Sequence, residues 1–193
     1  MIIAKDFYFI RHGETDWNRE RRGMGQKNIP LNEKGIDQAR SAALVLEKIH
    51  PPIIFHSPLS RAKDTAEIIA EKTRSRLVVV PDLIECSWGE REGDPKGPWL
   101  EEWIAGAKIK GAELYSEFIL RALRGVNQCL SESQQDPLIV AHGGVFWAIQ
   151  QFAGLGEHSE IRNAAPMYLK APQSKNELDT ALTRNLWKCT ALA

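Results

Sequence analysis

Residues 6–15 run Asp6-Phe7-Tyr8-Phe9-Ile10-Arg11-His12-Gly13-Glu14-Thr15, an apolar segment that breaks off into a cationic turn containing glycine. Four consecutive apolar side chains without polar alternation predict a strand covered on both faces, as in a parallel sheet flanked by helices. Runs of the same kind recur at 53–55, 77–80 and 138–141. Between them lie segments of helical period. Ile36, Ala39, Ala43, Leu46 and Ile49 follow Asn32, a suitable N-cap, and stop at Pro51-Pro52. Further helices are predicted over 61–72, over 112–133 with Leu114, Phe118, Leu123, Val126 and Leu130 on one side, and from Gly143-Gly144 to Phe152. Two more strand-like pieces, 167–169 and 185–189, close the chain.

Strand and helix alternating in this way imply an α/β fold, a three-layer sandwich whose mostly parallel central sheet carries helices on both faces. One domain over 1–193 accounts for the pattern. Residues 93–111, which mix Gly, Pro, Trp99, Trp103 and Lys without a clear period, are expected to form a short lid or insertion.

The chain has 193 residues with 25 basic and 25 acidic side chains, 43% hydrophobic residues and three cysteines. A chain of this length buries roughly 70% of its unfolded surface, enough for a core without disulfides or structural metal. Zero net charge argues against nucleic acid or an anionic membrane as a partner. Cys86, Cys129 and Cys189 are odd in number and include no CxxC pair, which suits a reducing compartment. The apolar start is interrupted at Lys5-Asp6, and no stretch approaches a membrane span, so a cytoplasmic location is expected.

Ligands of open α/β sheets bind beyond the carboxyl ends of the strands. Arg11-His12-Gly13 follows the first run, His56-Ser57-Pro58-Leu59-Ser60-Arg61 the second, and His142-Gly143-Gly144 the run at 138–141. Two arginines and two histidines thereby converge on one edge of the sheet. Guanidinium groups and helix N-termini suit a phosphoryl group. A histidine kept neutral by charge repulsion from neighbouring arginines can be a nucleophile, and glycine after each histidine lets the backbone approach a ligand. His56, followed by Ser-Pro, is expected to be structural, and His50 and His158 to be solvated.

Other chemistries fail on the residues. A cysteine phosphatase needs arginine six positions after its cysteine, where Cys86 has Glu92. No GxxxxGK[ST] or HExxH occurs, and Gly154-Leu155-Gly156 follows a helix rather than a strand. The strand ends offer arginines instead of clustered carboxylates, so neither metal nor cofactor is expected.

Arg11-His12-Gly13-Glu14-Thr15-Asp16-Trp17-Asn18 resembles the RHGE[TS]xWN signature of the histidine phosphatase superfamily, the phosphoglycerate mutase-like proteins. The likeness continues in order through Gly25, Pro30-Leu31-Asn32, Gly35 and Gln38-Ala39, then Ser57-Pro58-Leu59-Ser60-Arg61-Ala62 with Thr65-Ala66. Leu83-Ile84-Glu85 with Gly89 and Glu92-Gly93, His142-Gly143 and Asn163-Ala164 complete it. The resemblance implies a phosphoglycerate mutase-like fold, with His12 as the nucleophile that becomes a phosphohistidine. Arg11, Arg61 and His142 would clamp the phosphoryl oxygens, Asn18 would hydrogen-bond to the same group, and Glu85 would be the proton donor. Met24, Gly25 and Gly143 would line the substrate side.

A small-molecule phosphate ester is the expected substrate. Members of this family divide between phosphatases and mutases, and a mutase resembles its relatives in a longer insertion than residues 93–111 provide. Hydrolysis is therefore expected, with phosphoglycerate mutase-type transfer or a non-catalytic phosphate-binding module as alternatives. Trp99 and Trp103 either pack the lid helix onto the body or sit at a pocket mouth, where they would favour an apolar or aromatic leaving group, and Glu101 and Glu102 would disfavour a second anion. A strand around Leu186-Trp187 could pair across a homodimer or pack internally.

Overall fold

The computed structural model describes residues 1–156, 161–172 and 187–193. The strands are β1 (Phe7–Arg11), β2 (Ile53–His56), β3 (Arg76–Val79), β4 (Leu138–Ala141), β5 (Met167–Lys170) and β6 (Lys188–Ala191). The helices are α1 (Asp16–Arg19), α2 (Glu33–Glu47), α3 (Ser60–Thr73), α4 (Pro98–Ile104), α5 (Tyr115–Glu132) and α6 (Gly143–Ala153). They make one sheet of order β3-β2-β4-β1-β5-β6. The β1–β4, β4–β2 and β2–β3 pairs are parallel, whereas β5 and β6 run antiparallel. The expected α/β sandwich is therefore present with a mixed sheet.

Side-chain alternation along the central strands builds the two outer layers. Phe55, Ile139 and Ala141 join Phe7 and Phe9 in a core with Phe118, Val126 and Leu130 of α5 and Val145 and Ile149 of α6. Ile54, Leu138, Val140 and Ile10 point the other way, onto Ala42, Ala43 and Leu46 of α2 and Ala62, Ala66 and Ile69 of α3. The small alanines let α2 and α3 lie close to the sheet.

Several boundaries follow from caps visible in the sequence. Asn32 accepts the Gly35 N–H at 2.8 Å and starts α2. Thr15 and Asn18 make a capping box around α1. Three expectations need correction. The run at 77–80 is not buried on both faces, because β3 is an edge strand whose Val79 is exposed. The segment 93–111 contains the helix α4, and α5 starts at Tyr115 rather than Ala112. The last strand is Lys188–Ala191 rather than 185–189 and is exposed, while Trp187 takes the internal-packing alternative, buried against Phe7 with ring centroids 5.8 Å apart. Asn185, Leu186 and His158 lie outside the described residues.

The chain leaves β1 toward β2 and β3, then returns to insert β4 between β2 and β1. That reversal is a topological switch point, where a crevice opens past the strand ends. Two backbone bonds extend the ladder beyond it, His12 N–H to Ala141 O at 3.0 Å and Ser57 N–H to Val140 O at 3.1 Å.

Candidate active site

A cavity of about 220 Å³ opens at this switch point. Arg11, His12, Asn18, Met24, Gly25, Arg61, Glu85 and Gly143, eight of the nine residues expected at the site, line it. His142 lies beside them, fully buried, its ring 5.2 Å from that of His12. His56 and the exposed His50 stay outside, as expected.

His12 Nδ1 donates to Gly13 O at 2.7 Å, which places its proton there and leaves the Nε2 lone pair available. Arg61 Nε donates to that lone pair at 3.2 Å. Burial, then the charges of Arg61 and Arg11, hold the His12 imidazole well below the ordinary histidine range and hence neutral. His142 is depressed in the same way, by burial and then Arg61. The two rings form a neutral pair beneath two guanidinium groups.

Arg61 has no solvent exposure, yet its remaining N–H groups bond only to carbonyls, Lys27 O at 2.8 Å and Gly25 O at 2.9 Å. Burial pushes its pKa down to about 10, so it stays charged near neutrality. Gly25 is required here by its φ of 49°, and a side chain at that position would run into Glu92. Among the described residues no carboxylate bonds to this guanidinium, an arrangement suited to an incoming phosphoryl dianion. Arg11 Nη1 is tied to Ile161 O at 2.8 Å. Asn18 Oδ1 accepts from Thr15 N–H and Asn163 Nδ2, both at 3.2 Å, so its NH2 is the group offered to the cavity.

Glu85 faces this cluster from the loop after Leu83. Its Oε1 accepts the Cys86 N–H at 3.1 Å, and its Oε2 accepts the Gly144 N–H at 3.2 Å in the first turn of α6. Arg121 fixes the loop itself. It donates to Asp82 O at 3.0 Å, Ile84 O at 2.9 Å and Glu85 O at 3.3 Å, while a bidentate pair with Glu113, both bonds 2.8 Å, holds its plane.

The tryptophans of 93–111 pack rather than line the pocket mouth. Trp103 is fully buried, with Nε1 donating to Glu113 O at 2.8 Å, and Trp99 bonds to Pro95 O at 2.9 Å, so neither indole lines the cavity. Glu101 and Glu102 point to solvent on α4. The mouth is formed instead by Arg22, Lys96, Trp88, Leu100, Trp147 and Ile161. Arg22 and Lys96 are drawn together because 21–23 zips onto 93–96 through Gly93 N–H to Gly23 O at 2.7 Å and Lys96 N–H to Arg21 O at 3.0 Å. A sequence signal existed for one of these residues: Leu100 sits in Trp99-Leu100-x-x-Trp103-Ile104, a helical spacing opened by Pro98. Among the described residues, no three His, Cys, Asp or Glu side chains cluster as metal ligands, and no helix is long and apolar enough to cross a membrane.

The sequence pattern of the histidine phosphatase superfamily (branch 1) matches residues 7–171. The chain belongs to the histidine phosphatase superfamily. Within this superfamily it is 35% identical over 142 residues to the "Uncharacterized phosphatase PhoE" of Bacillus subtilis (strain 168), covering 72% of each chain. It is 35% identical over 170 residues to the "Probable phosphoglycerate mutase GpmB" of Yersinia pestis (strain Pestoides F), covering 80% of this chain and 78% of that protein. Among solved histidine phosphatase structures, a mycobacterial glucosyl-3-phosphoglycerate phosphatase in complex with VO3 superposes with a TM-score of 0.75 at 26% identity, over 97% of both chains. A phosphoglycerate mutase from Thermus thermophilus gives 0.73 at 27% identity, over 97% of this chain and 98% of that one.

Proposed function

We propose that the protein is a phosphomonoesterase that works through a phosphohistidine at His12, without a metal ion. The observation that carries this reading is the neutral imidazole whose Nδ1 proton is held by Gly13 O and whose Nε2 lone pair lies under Arg61. Nε2 attacks phosphorus, the bond from phosphorus to the leaving oxygen breaks, and Glu85 supplies that oxygen with a proton. Arg11, Arg61 and the Asn18 amide meet the charge spread over the equatorial oxygens, a task that metal ions perform in other phosphoryl-transfer sites. Water then attacks phosphorus, Glu85 accepts its proton, and the P–N bond breaks to regenerate Nε2. Residues 93–111, with α4, would act as the cover of this cavity.

Hydrolysis of a synthetic aryl phosphate, measured with and without EDTA, tests the reading against the His12→Ala variant. Activity that survives EDTA and vanishes in the variant is expected. Equal rates for variant and wild type would reject the nucleophile, and inactivation by EDTA would reject the metal-free mechanism.

The basic mouth supports a second reading. The cavity continues onto a shelf where Arg21, Arg22 and Lys96 outnumber Glu14, itself paired with Lys34, so a substrate with a second anionic group, such as a phosphorylated acid, fits better than an aryl phosphate with an uncharged leaving group. Relatives named for phosphoglycerate chemistry agree with that class. Return of the phosphoryl group to such a product would make the protein a mutase. Interconversion of 2- and 3-phosphoglycerate outpacing phosphate release would establish transfer, and the reverse would establish hydrolysis.

A further inference from the structure

His142 leaves one polar atom unexplained. Its Nε2 lies 2.7 Å from Ser57 Oγ, but its Nδ1 is buried with no hydrogen-bond partner among the described residues. Buried polar atoms are almost always paired, so an orphan beside a reaction site points to a ligand that completes it. Which kind of atom Nδ1 is depends on which ring nitrogen carries the proton.

Ser57 is fully buried at the end of β2, and its Oγ already accepts the Leu59 N–H at 3.3 Å. If Nε2 carried the proton and donated to Oγ, the Ser57 hydroxyl hydrogen would have no acceptor and the Nδ1 lone pair no donor. If the Ser57 hydroxyl donates to Nε2, the hydroxyl is satisfied and the only unpaired group is an Nδ1–H. A spare N–H beside His12, Arg61 and Arg11 matches the needs of a phosphoryl oxygen, whereas a spare lone pair would repel it. We propose that Ser57 is a positioning residue whose hydroxyl selects the Nδ1–H tautomer of His142, keeping that N–H free for the phosphoryl group. What Nδ1–H meets rests on the phosphohistidine reading; the tautomer itself does not.

The tautomer is readable in the unliganded protein by long-range ¹H–¹⁵N correlation of the histidine rings, with His142 assigned by loss of its signals in His142→Asn. A pyrrole-type Nδ1 and a pyridine-type Nε2 are expected, and inorganic phosphate should shift Nδ1. The reverse assignment in the wild type overturns the proposal without any variant. In Ser57→Ala the Nε2–H form should grow and kcat should fall about 10²-fold, as when one preorganised donor is removed, while Ser57→Thr restores both. An unchanged tautomer in Ser57→Ala also overturns it. Failure of the phosphohistidine reading would appear separately, as turnover that survives His12→Ala.

Discussion

Gly144→Ala tests the placement of Glu85 with a single methyl group. A Cβ built on Gly144 overlaps Glu85 Oε1 and stands 2.8 Å from Phe118 Cζ. The carboxylate must retreat by about 1 Å to regain van der Waals separation, because Gly144 sits in a helix that packs on the core and cannot yield easily. The retreat breaks the Gly144 N–H to Oε2 bond and carries the carboxylate away from the leaving oxygen. Misplacement on this scale costs about 10²-fold in rate, or about 2.7 kcal/mol of barrier. Stability should change far less, because the helix preference of alanine over glycine, up to about 1 kcal/mol, offsets part of the strain at Phe118. The assay is kcat on two esters, an aryl phosphate whose leaving group needs little protonation and an alkyl phosphate that depends on it. The alkyl ester should lose the larger factor while the melting temperature moves by only a few degrees. Equal losses on both esters, or activity within about threefold of wild type, would refute the assignment of Glu85 as proton donor.

Other consequences follow from charge and packing. His12 and His142 are fully buried and held below the ordinary histidine value of 6.5, so below that pH the unfolded chain takes up protons that the folded one refuses. Unfolding free energy should therefore decrease as pH falls below about 6.5, by up to about 1.4 kcal/mol per pH unit for each histidine, and be insensitive to them above it; urea midpoints of wild type and His12→Asn at several pH values check the slope. Lys96→Met should lower kcat/KM about tenfold for a phosphorylated acid, the worth of one charged contact, and spare an aryl phosphate. Trp103→Ala removes a fully buried indole packed on Trp88, Tyr115 and Phe118, and should destabilise by about 3–5 kcal/mol in denaturant titration.

Much of the fold is legible in the sequence because its signals are local. The apolar runs at 7–10, 53–55 and 138–141 become strands, Asn32 caps α2, and the residues after each run reach one crevice. Glu85 is legible only through its resemblance to a family motif, since nothing within its own loop shows that α6 and Arg121 hold it. The basic mouth is not legible at all: Arg22 and Lys96 are far apart in sequence and meet through backbone bonds that no local pattern encodes. Of the two roles open to Trp99 and Trp103, packing holds: the seven-residue helix α4 buries Trp103, rests Trp99 on the core and turns its carboxylates outward. An indole among charges in a short aperiodic stretch does not reveal which side faces the core.

The central claim is covalent phosphorylation of His12, and rapid quenching of turnover with a ³²P-labelled monoester tests it most directly. An acid-labile, alkali-stable label on the peptide containing His12, absent from His12→Ala, is the predicted result. Turnover at full rate with no such label on His12 would contradict the account.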